Sequence, residues 1–384
     1  MRAIRAARLF DGVTTTDNPI VYVEGGTVVS VAHGGPAPAD ALDLGAVTLL
    51  PGLVDAHTHL VFDAGADPVA RLHAVDDDEL LRGAKVAATR ALHAGITTVR
   101  DLGDRGYVAL RLRAQFAAAP HTGPHVLAAG PPLTSPRGHC WWLGGEVSGV
   151  AGIRAAVAEH AARGVDVIKV LATGGEITPG TKPYLLQFSP EELAAAADEA
   201  HRHGLPAAAH AHSAPAIAAA VDAGFDTVEH GSFLTADGAA ADPAVIGKLA
   251  ASDTVVSATL GYLPGQPVNP RTAALSATLT AIFQQQRRAG VRMIVTSDAG
   301  IDASKPHDVL AYAAEMFLLF GDGPEAALRA VTADAAAACG VGATKGRVAA
   351  GYDADLLAVA GDPTTDIAAL RDVRAVFRAG VRVR

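Results

Sequence analysis

Two histidines at the end of a hydrophobic run carry the clearest chemical signal in the sequence. His57 and His59 are separated by one residue and complete the run 47–59, which has the pattern of a strand. Side chains of a strand alternate between its two faces, so both imidazoles point the same way and can hold one metal ion. Ordinary strand histidines also show this spacing. The pair therefore predicts a metal site that the rest of the chain must support.

Further ionisable side chains stand near the ends of other apolar segments. Each one alone has a structural explanation, such as a helix cap for Asp298 or a core imidazole for His230. Burying several ionisable groups in a shell of Val, Ile, Leu and Ala is unfavourable unless they serve a purpose. Together they therefore predict one shared metal site. The candidates are Lys169, His210, His212, Glu229, His230 and Asp298.

These residues can meet only if the segments that carry them lie side by side. Between Gly52 and about Gly340, short apolar strands alternate with Ala-rich segments of helix length, which is typical of a parallel sheet. One helix has clear signals, with Ser189 and Pro190 at its start and Gly204 at its end. We predict an α/β fold, a (β/α)8 TIM barrel whose strand-end loops carry the functional residues. The predicted strands are 53–60, 96–102, 125–129, 165–172, 206–212, 227–231, 254–260 and 292–299.

The two ends of the chain differ from its middle. Both ends contain short strand-like segments separated by turns, and those of the N-terminal end predict an antiparallel unit. The simplest arrangement pairs the strands of the two ends. We therefore predict a discontinuous β-sandwich domain, 1–51 and 342–384, packed beside the barrel domain, 52–341. The predicted end strands are 3–9, 20–24, 28–32, 46–50, 346–359 and 373–383.

Composition and charge narrow the class of protein. With 384 residues, of which 50% are hydrophobic and 18% charged, the chain can build a large core. A net charge of −9 without a basic run argues against nucleic acid, and no segment resembles a signal peptide or membrane span. Cys140 and Cys339 form no disulfide or metal pattern. We expect a cytoplasmic protein with a small-molecule substrate and no nucleic-acid or membrane partner; a homo-oligomer is left open.

Six segments of this sequence resemble the amidohydrolase superfamily, and the resemblance covers nearly the whole chain. Within the superfamily, the chain is most similar to the binuclear branch that contains prolidase-like Xaa-Pro dipeptidases and imidazolonepropionase-like hydrolases. The segments are Pro51–His59, Ile168–Gly175, Ala209–His212, Val228–Gly231, Ser297–Gly300 and Gly351–Asp355.

The resemblance implies two divalent metal ions, with zinc as the expected metal, and a CO2-derived carboxylate on Lys169 that bridges them. A free lysine has a pKa of about 10.4 and would present a cation to two dications, whereas a lysine carbamate presents anionic oxygens. The implied ligands are His57, His59 and Asp298 for one ion, His210 and His230 for the other, and Lys169 for both.

Strand 5 leaves an alternative open, because His210 and His212 lie on one face and either can be the ligand. Family precedent favours His210, so that His212 would support the site or face the substrate. Mononuclear deaminases and imidazolonepropionase proper have a Glu three residues after the strand 5 His. Ser213 occupies that position here, which favours the binuclear hydrolases.

The implied reaction is hydrolysis of an amide C–N bond in a small dipeptide or N-acyl amino acid. A hydroxide bridging the metals would attack, with Asp298 as general base and then general acid. Hydrolysis of a lactam, lactone or organophosphate at the same site is the first alternative. A non-catalytic scaffold with this fold is the second, and the intact ligand set argues against it.

Substrate recognition is expected from the loop 131–146 after the third barrel strand. Relatives have a His here that contacts the substrate carbonyl, so His139 is predicted to be catalytic and substrate-binding. Arg137 can pair with a carboxylate, and Trp141 and Trp142 can wall an apolar group or simply cover the barrel mouth. Further candidates for the pocket are His212, Tyr262, Lys182 and Tyr184.

Several other residues are predicted to have no part in the chemistry. Nothing beside Cys140 suggests an activated thiolate, and metal-activated water already supplies a nucleophile. The histidines of the helical segments are predicted to lie at the surface. They are His73, His93, His160, His201 and His203.

Overall fold

The computed structural model describes residues 1–384 and has an α/β fold. The strands are β1 Arg2–Arg5, β2 Arg8–Phe10, β3 Thr15–Asp17, β4 Pro19–Glu24, β5 Thr27–His33, β6 Leu42–Asp43, β7 Val47–Pro51, β8 Leu53–Thr58, β9 Ile96–Asp101, β10 His125–Ala128, β11 Ile168–Leu171, β12 Ala207–Ala211, β13 Thr227–His230, β14 Val255–Thr259, β15 Met293–Thr296, β16 Leu356–Ala360, β17 Val373–Arg378 and β18 Val381–Arg382. The helices are α1 Pro68–Ala74, α2 Asp77–His93, α3 Val108–Ala118, α4 Gly149–Arg163, α5 Pro190–Arg202, α6 Ala214–Asp222, α7 Pro243–Ala250, α8 Pro270–Arg288, α9 Leu310–Phe317, α10 Pro324–Ala330 and α11 Ala333–Ala338.

Strands β8 to β15 form two parallel sheets, in the orders β10-β9-β8 and β11-β12-β13-β14-β15. Each of these strands lies within three residues of a predicted strand at both ends. Two parallel bridges connect the sheets, one between Thr58 and Ala299 and one between Leu133 and Val170. These bridges bring the carboxyl ends of β8 and β15 together, and those of β10 and β11. The predicted α/β alternation is confirmed.

Helix α5 illustrates how local signals place the helices between the strands. The Ser189 hydroxyl accepts a bond from the Glu192 amide at 3.2 Å, and the Glu192 carboxylate accepts one from the Ser189 amide at 2.8 Å. This reciprocal cap satisfies two donors at the start of the helix. Gly204, with a φ of 71°, follows the last turn in a left-handed conformation. The predicted start and end of this helix are confirmed.

The chain ends form two further sheets, in the orders β5-β4-β1-β6 and β18-β17-β16-β7-β2-β3. β7 and β16 pair antiparallel, so strands from the two ends of the chain do share a sheet. The prediction of one strand over 3–9 is wrong, because β1 and β2 belong to different sheets. Nor is the unit purely antiparallel, since β1 pairs parallel with β6, and β2 with β7. The chain passes from one sheet to the other between β1 and β2. Ile4 and Leu9 consequently pack in one 14-residue core that both sheets share.

Most of the apolar core surrounds the parallel strands in a cluster of 72 buried residues. The prediction of a surface position for His160 is wrong, because this side chain of α4 is buried. One ring nitrogen bonds the Pro131 carbonyl at 2.9 Å and the other bonds the Tyr107 hydroxyl at 2.8 Å. Both partners are distant in sequence, so helical periodicity gives no sign of them.

None of the helices combines the length and the apolar character that crossing a membrane requires.

Candidate active site

The candidate site lies at the carboxyl ends of the parallel strands, in a cavity of about 820 Å³. All of the predicted metal ligands line this cavity, and so do three of the predicted substrate-binding residues. They come from β8, β11, β12 and β13 and from the segments that follow β8, β10, β12, β14 and β15. The lining residues in question are His57, His59, Lys169, His210, His230, Asp298, His139, His212 and Tyr262.

His57 and His59 each direct one nitrogen at the carboxylate of Asp298. Both distances from Nε2 to Oδ1 are 3.4 Å. The other nitrogen of each ring meets an acceptor: Nδ1 of His57 donates to Glu229 at 2.8 Å, and Nδ1 of His59 donates to the Gly103 carbonyl at 3.0 Å. Because a neutral imidazole carries one proton, each Nε2 presents a lone pair. Two lone pairs and a carboxylate therefore face one another.

A cation or a proton must neutralise this arrangement. Burial, with Lys169 acting in the same direction, lowers the pKa of His57 to about 4. Burial also lowers the pKa of His59, but the hydrogen bond and charge of Asp298 outweigh it, so that this pKa is raised. His57 is consequently neutral at pH 7. The space between the three groups suits either a proton on His59 or a divalent cation.

His210 and His230 form a second point of convergence. Nδ1 of His210 lies 2.9 Å from Nε2 of His230. His210 must carry its proton on Nε2, because that atom donates to the Gly174 carbonyl at 3.0 Å. Its Nδ1 is then a lone pair aimed at the neighbouring imidazole, whose own Nδ1 bonds the Thr259 hydroxyl at 2.9 Å. This pair is again suited to a cation.

Lys169 is buried in β11, yet its ammonium nitrogen has no hydrogen-bond partner in the protein. Burial lowers the pKa of Lys169 to about 8, although the carboxylates of Glu229 and Asp298 act in the opposite direction. A buried ammonium group without an acceptor is unfavourable. The environment therefore increases the share of the neutral amine, which is the form that reacts with CO2.

Two of the predicted ligands have a left-handed backbone, which is unusual for residues other than glycine. The φ angles are 70° at His230 and 55° at Asp298. Such conformations are unfavourable by roughly 1–3 kcal/mol each and are often found at functional sites. Around Asp298, the neighbouring Ser297 is held on two sides. Its amide donates to Asp55 at 3.1 Å, and its carbonyl accepts from Lys305 at 2.6 Å.

His212 remains an alternative ligand, because it lies beside the same imidazoles. Two groups of side chains each have ligand atoms within 4.8 Å of one another. One group is His210, His212 and His230, and the other is His57, His230 and Asp298. The ring of His212 stacks on that of His230, with centroids 4.4 Å apart, and its Nδ1 bonds the Ser232 hydroxyl at 2.7 Å.

Beneath the histidines lies a buried ion pair that sequence reasoning missed. Arg100 donates to the carboxylate of Glu229 at 3.2 Å and to the Ala56 carbonyl at 2.7 Å, and the Thr227 hydroxyl donates to the same carboxylate at 2.6 Å. Burial raises the pKa of Glu229, but its contacts with His57, Arg100 and Lys169 outweigh this and hold the pKa well below its usual range. The sequence feature that could have indicated this ion pair is Arg100 itself, a charged residue inside the apolar strand β9.

Two loops join to hold His139 in the cavity wall. Its Nδ1 bonds the Thr178 hydroxyl at 2.9 Å, and that hydroxyl also accepts from the Cys140 amide at 2.9 Å. Burial lowers the pKa of His139 to about 3, so the ring is neutral. Burial also raises the pKa of Cys140 to about 12, which agrees with the prediction that this thiol is not activated. Thr178 gave no signal in the sequence.

Arg137, Trp141 and Trp142 do not line the cavity. The Arg137 guanidinium lies over the Trp141 ring, 4.9 Å from its centroid, and the Arg137 amide donates to Glu146 at 2.6 Å. The Trp142 ring is 6.0 Å from that of His73. Two further residues that the sequence suggested for the pocket also lie away from its wall. These are Lys182 and Tyr184.

Comparisons with known proteins identify the family of this chain. Residues 48–383 match the family described as the Amidohydrolase family. An imidazolonepropionase of Deinococcus deserti is 30% identical over 97% of this chain and 93% of its own length. Ochratoxinase of Aspergillus niger is 28% identical over 85% of this chain and 73% of its own. The crystal structure of a Xaa-Pro dipeptidase with bound methionine in the active site has a TM-score of 0.87 and 25% identity, covering 99% of both chains.

The family match spans most of the chain, and five of the six segments that carried the resemblance contribute residues to one cavity. The chain is therefore an enzyme rather than a scaffold, and it belongs to the Amidohydrolase family, in its prolidase-like branch.

Proposed function

We propose that this enzyme hydrolyses the amide C–N bond of a small dipeptide or N-acyl amino acid with two divalent metal ions, for which zinc is the expected metal. The observation that carries the proposal is the convergence of the His57 and His59 lone pairs on the carboxylate of Asp298. Acceptors that face one another in a buried site need a proton or a cation between them, and two imidazoles with a carboxylate are ligand types that zinc prefers. The similarity to a Xaa-Pro dipeptidase supports an amide substrate.

The donor set fits two ions. When bound, the ions supply an activated water as nucleophile and polarise the scissile carbonyl. The unpartnered amine of Lys169 supports its conversion to a CO2-derived carboxylate. His212 remains the alternative ligand from β12. The residues that would hold the ions are His57, His59 and Asp298 for one, His210 and His230 for the other, and Lys169 for both.

Asp298 and His139 are the proposed catalytic residues. Burial raises the pKa of Asp298, but His57 and His59 outweigh it and hold the pKa well below its usual range. The group is thus a carboxylate, which can accept a proton from the attacking water and pass it to the leaving nitrogen. With the Thr178 hydroxyl donating to Nδ1 of His139, the proton of the neutral ring is on Nε2, which can then donate to the substrate carbonyl oxygen.

We further propose that β8 to β15 close into one (β/α)8 barrel over 52–341, beside a β-sandwich domain made of 1–51 and 342–384. The bridges at Thr58 and at Leu133 support closure, and the core shared by the two end sheets supports the sandwich. Cys140 and Cys339 are buried free thiols, which supports a reducing, cytoplasmic location.

The test is to prepare the enzyme with Zn²⁺ and ¹³C-bicarbonate, count the metal per chain, and record ¹³C NMR. We expect two ions per chain, a carbamate signal, and turnover of Xaa-Pro dipeptides or N-acetyl amino acids. Lys169→Gln should lose the signal and the second ion. Lys248→Gln changes an exposed lysine and is the matched control. One ion per chain with an unmodified lysine contradicts the binuclear site.

A second candidate is hydrolysis of a lactam at the same site, which the imidazolonepropionase relative supports, since an imidazolone is a cyclic amide. Lactams, lactones and phosphotriesters therefore belong in the substrate panel. Turnover of these compounds, with none of any dipeptide or N-acyl amino acid, would replace the first candidate by the second.

A further inference from the structure

The cavity that holds the candidate metal ligands extends into a region lined by apolar side chains of α8, α9 and the short turn after α9. None of these side chains stands at a strand end, so none belongs to the set proposed above. We call this region the apolar arm and define it by Leu275, Leu279, Phe283, Met316, Leu319 and Phe320.

The arm is a built feature, because aromatic packing and a hydrogen bond hold its walls together. The rings of Phe283 and Phe320 are stacked with centroids 4.8 Å apart, and Phe317 packs edge-on against Phe320 at 5.5 Å. The side chain of Gln284 donates to the Leu319 carbonyl at 2.8 Å, which ties α8 to the turn after α9. The arm therefore exists before a ligand enters.

The arm also presents apolar surface to water. Leu319 is 55% exposed, and Leu275 and Leu279 are half-buried. Arg271, the arginine of α8 that lines the cavity, already has partners, because it donates to the Thr235 carbonyl at 2.7 Å and pairs with Glu176 at 3.5 Å. An uncharged apolar group is thus the complementary ligand for the arm.

We propose that the substrate is an amide with a bulky apolar group, such as a medium-length acyl chain or an aromatic side chain, which binds in the apolar arm. This inference rests on the proposed amide hydrolysis and narrows its substrate class. Continuity of the arm with the candidate metal site is the reason to assign it to the substrate. A cavity of about 820 Å³ is also near the upper end of the roughly 300–1,000 Å³ typical of ligand pockets.

The test compares two substrate series. One varies the acyl group of proline from acetyl through hexanoyl to decanoyl; the other varies the amino acid of an N-acetyl substrate from glycine through leucine to tryptophan. We expect kcat/KM to rise in one series, by up to roughly fourfold per buried methylene group. The variants Leu279→Asn and Leu319→Asn should flatten that rise. Val86→Asn alters a side chain that is 72% exposed in α2 and is the control.

Calorimetric binding to the metal-free chain separates this inference from the proposed function. If no amide is hydrolysed but the largest ligand of a series binds at least tenfold more tightly than the smallest, and Leu279→Asn abolishes the difference, the arm is supported and the reaction is not. If the smallest substrates are hydrolysed, but neither kcat/KM nor binding affinity changes with the size of the apolar group in either series, the proposed reaction is supported and the arm inference is overturned. An unaltered rise in both leucine variants also overturns it.

Discussion

Two clusters of largely buried charge in this enzyme differ in how their charged groups are partnered. In the chain-end cluster, which consists of Lys345, Asp353, Asp355 and Arg378, every charged group has an opposite charge at hydrogen-bond distance. Asp355 accepts from Lys345 at 2.6 Å and from Arg378 at 2.9 Å. In the candidate active site, the ammonium nitrogen of Lys169 has no hydrogen-bond partner, and Nδ1 of His210 lies 2.9 Å from Nε2 of His230.

The difference shows how to separate structure from function among buried ionisable groups. A cluster whose charges neutralise one another can be explained by folding alone, because desolvation is offset by its own contacts. A cluster whose groups converge on a cavity without neutralising one another needs a bound ion or ligand from outside the chain. Perturbed pKa values occur in both clusters, so the pKa shift alone does not distinguish them. The partners do.

The largest expected effect comes from Asp298→Asn. We expect kcat/KM for an amide substrate to fall by roughly 10³-fold or more, because an amide cannot shuttle the proton. The metal-free variant should be no less stable than the parent, since active-site groups are held at some expense of stability. Steady-state kinetics and urea unfolding check this. A large loss of stability with retained activity would place Asp298 in the same class as the chain-end cluster.

Asp355→Asn should have the opposite signature. Removing this carboxylate leaves Lys345 and Arg378 buried without it, and we expect unfolding free energy to fall by about 3–5 kcal/mol. Activity per folded molecule should be retained. Asp222→Asn is the matched control, because Asp222 forms an exposed pair with Lys248 and should contribute under about 1 kcal/mol. Equal losses of unfolding free energy in Asp355→Asn and Asp222→Asn would show that the chain-end cluster stabilises the fold no more than an exposed ion pair.

Glu229→Gln tests the residue that belongs to both kinds of cluster. Its carboxylate neutralises Arg100 and also accepts from His57. We expect metal affinity to fall by roughly 10–100-fold, as for other residues that orient a metal-binding histidine. Stability of the metal-free chain should fall too, because Arg100 loses its charged partner. Competition with a zinc chelator measures the first effect. Unchanged affinity would show that the carboxylate serves the fold alone.

The smallest effect is the pH dependence of the chain-end cluster. Burial raises the pKa of Asp355, but Lys345 and Arg378 outweigh it and lower the pKa in the folded state. A lowered pKa contributes stability that is fully present above the unfolded value of about 3.9 and is lost as pH falls through the folded value. The stability difference between the parent and Asp355→Asn should therefore be constant above about pH 5 and shrink below about pH 4. A stability difference that grows as the pH falls would contradict a lowered pKa of Asp355 in the folded state.

Local pattern was sufficient to predict the eight parallel strands and the six proposed metal ligands that line the cavity. His57, Lys169, His210 and Asp298 were identifiable because alternation and strand ends are properties of a few consecutive residues. Pattern was not sufficient for Arg137 and the two tryptophans, which are in the expected loop but do not reach the cavity. Their direction depends on how that loop folds against α1 and the segment after β11.

What the sequence determined by itself is the set of groups at the strand ends, and with them the family and the class of chemistry. What only the tertiary structure decided is how those groups are partnered. That Lys169 lacks an acceptor, that Arg100 meets Glu229 across 129 positions of chain, and that α8 and α9 extend the cavity with leucines and phenylalanines all follow from long-range packing. The physical reason is that side-chain periodicity is local, whereas the neutralisation of a buried charge depends on residues distant in the sequence.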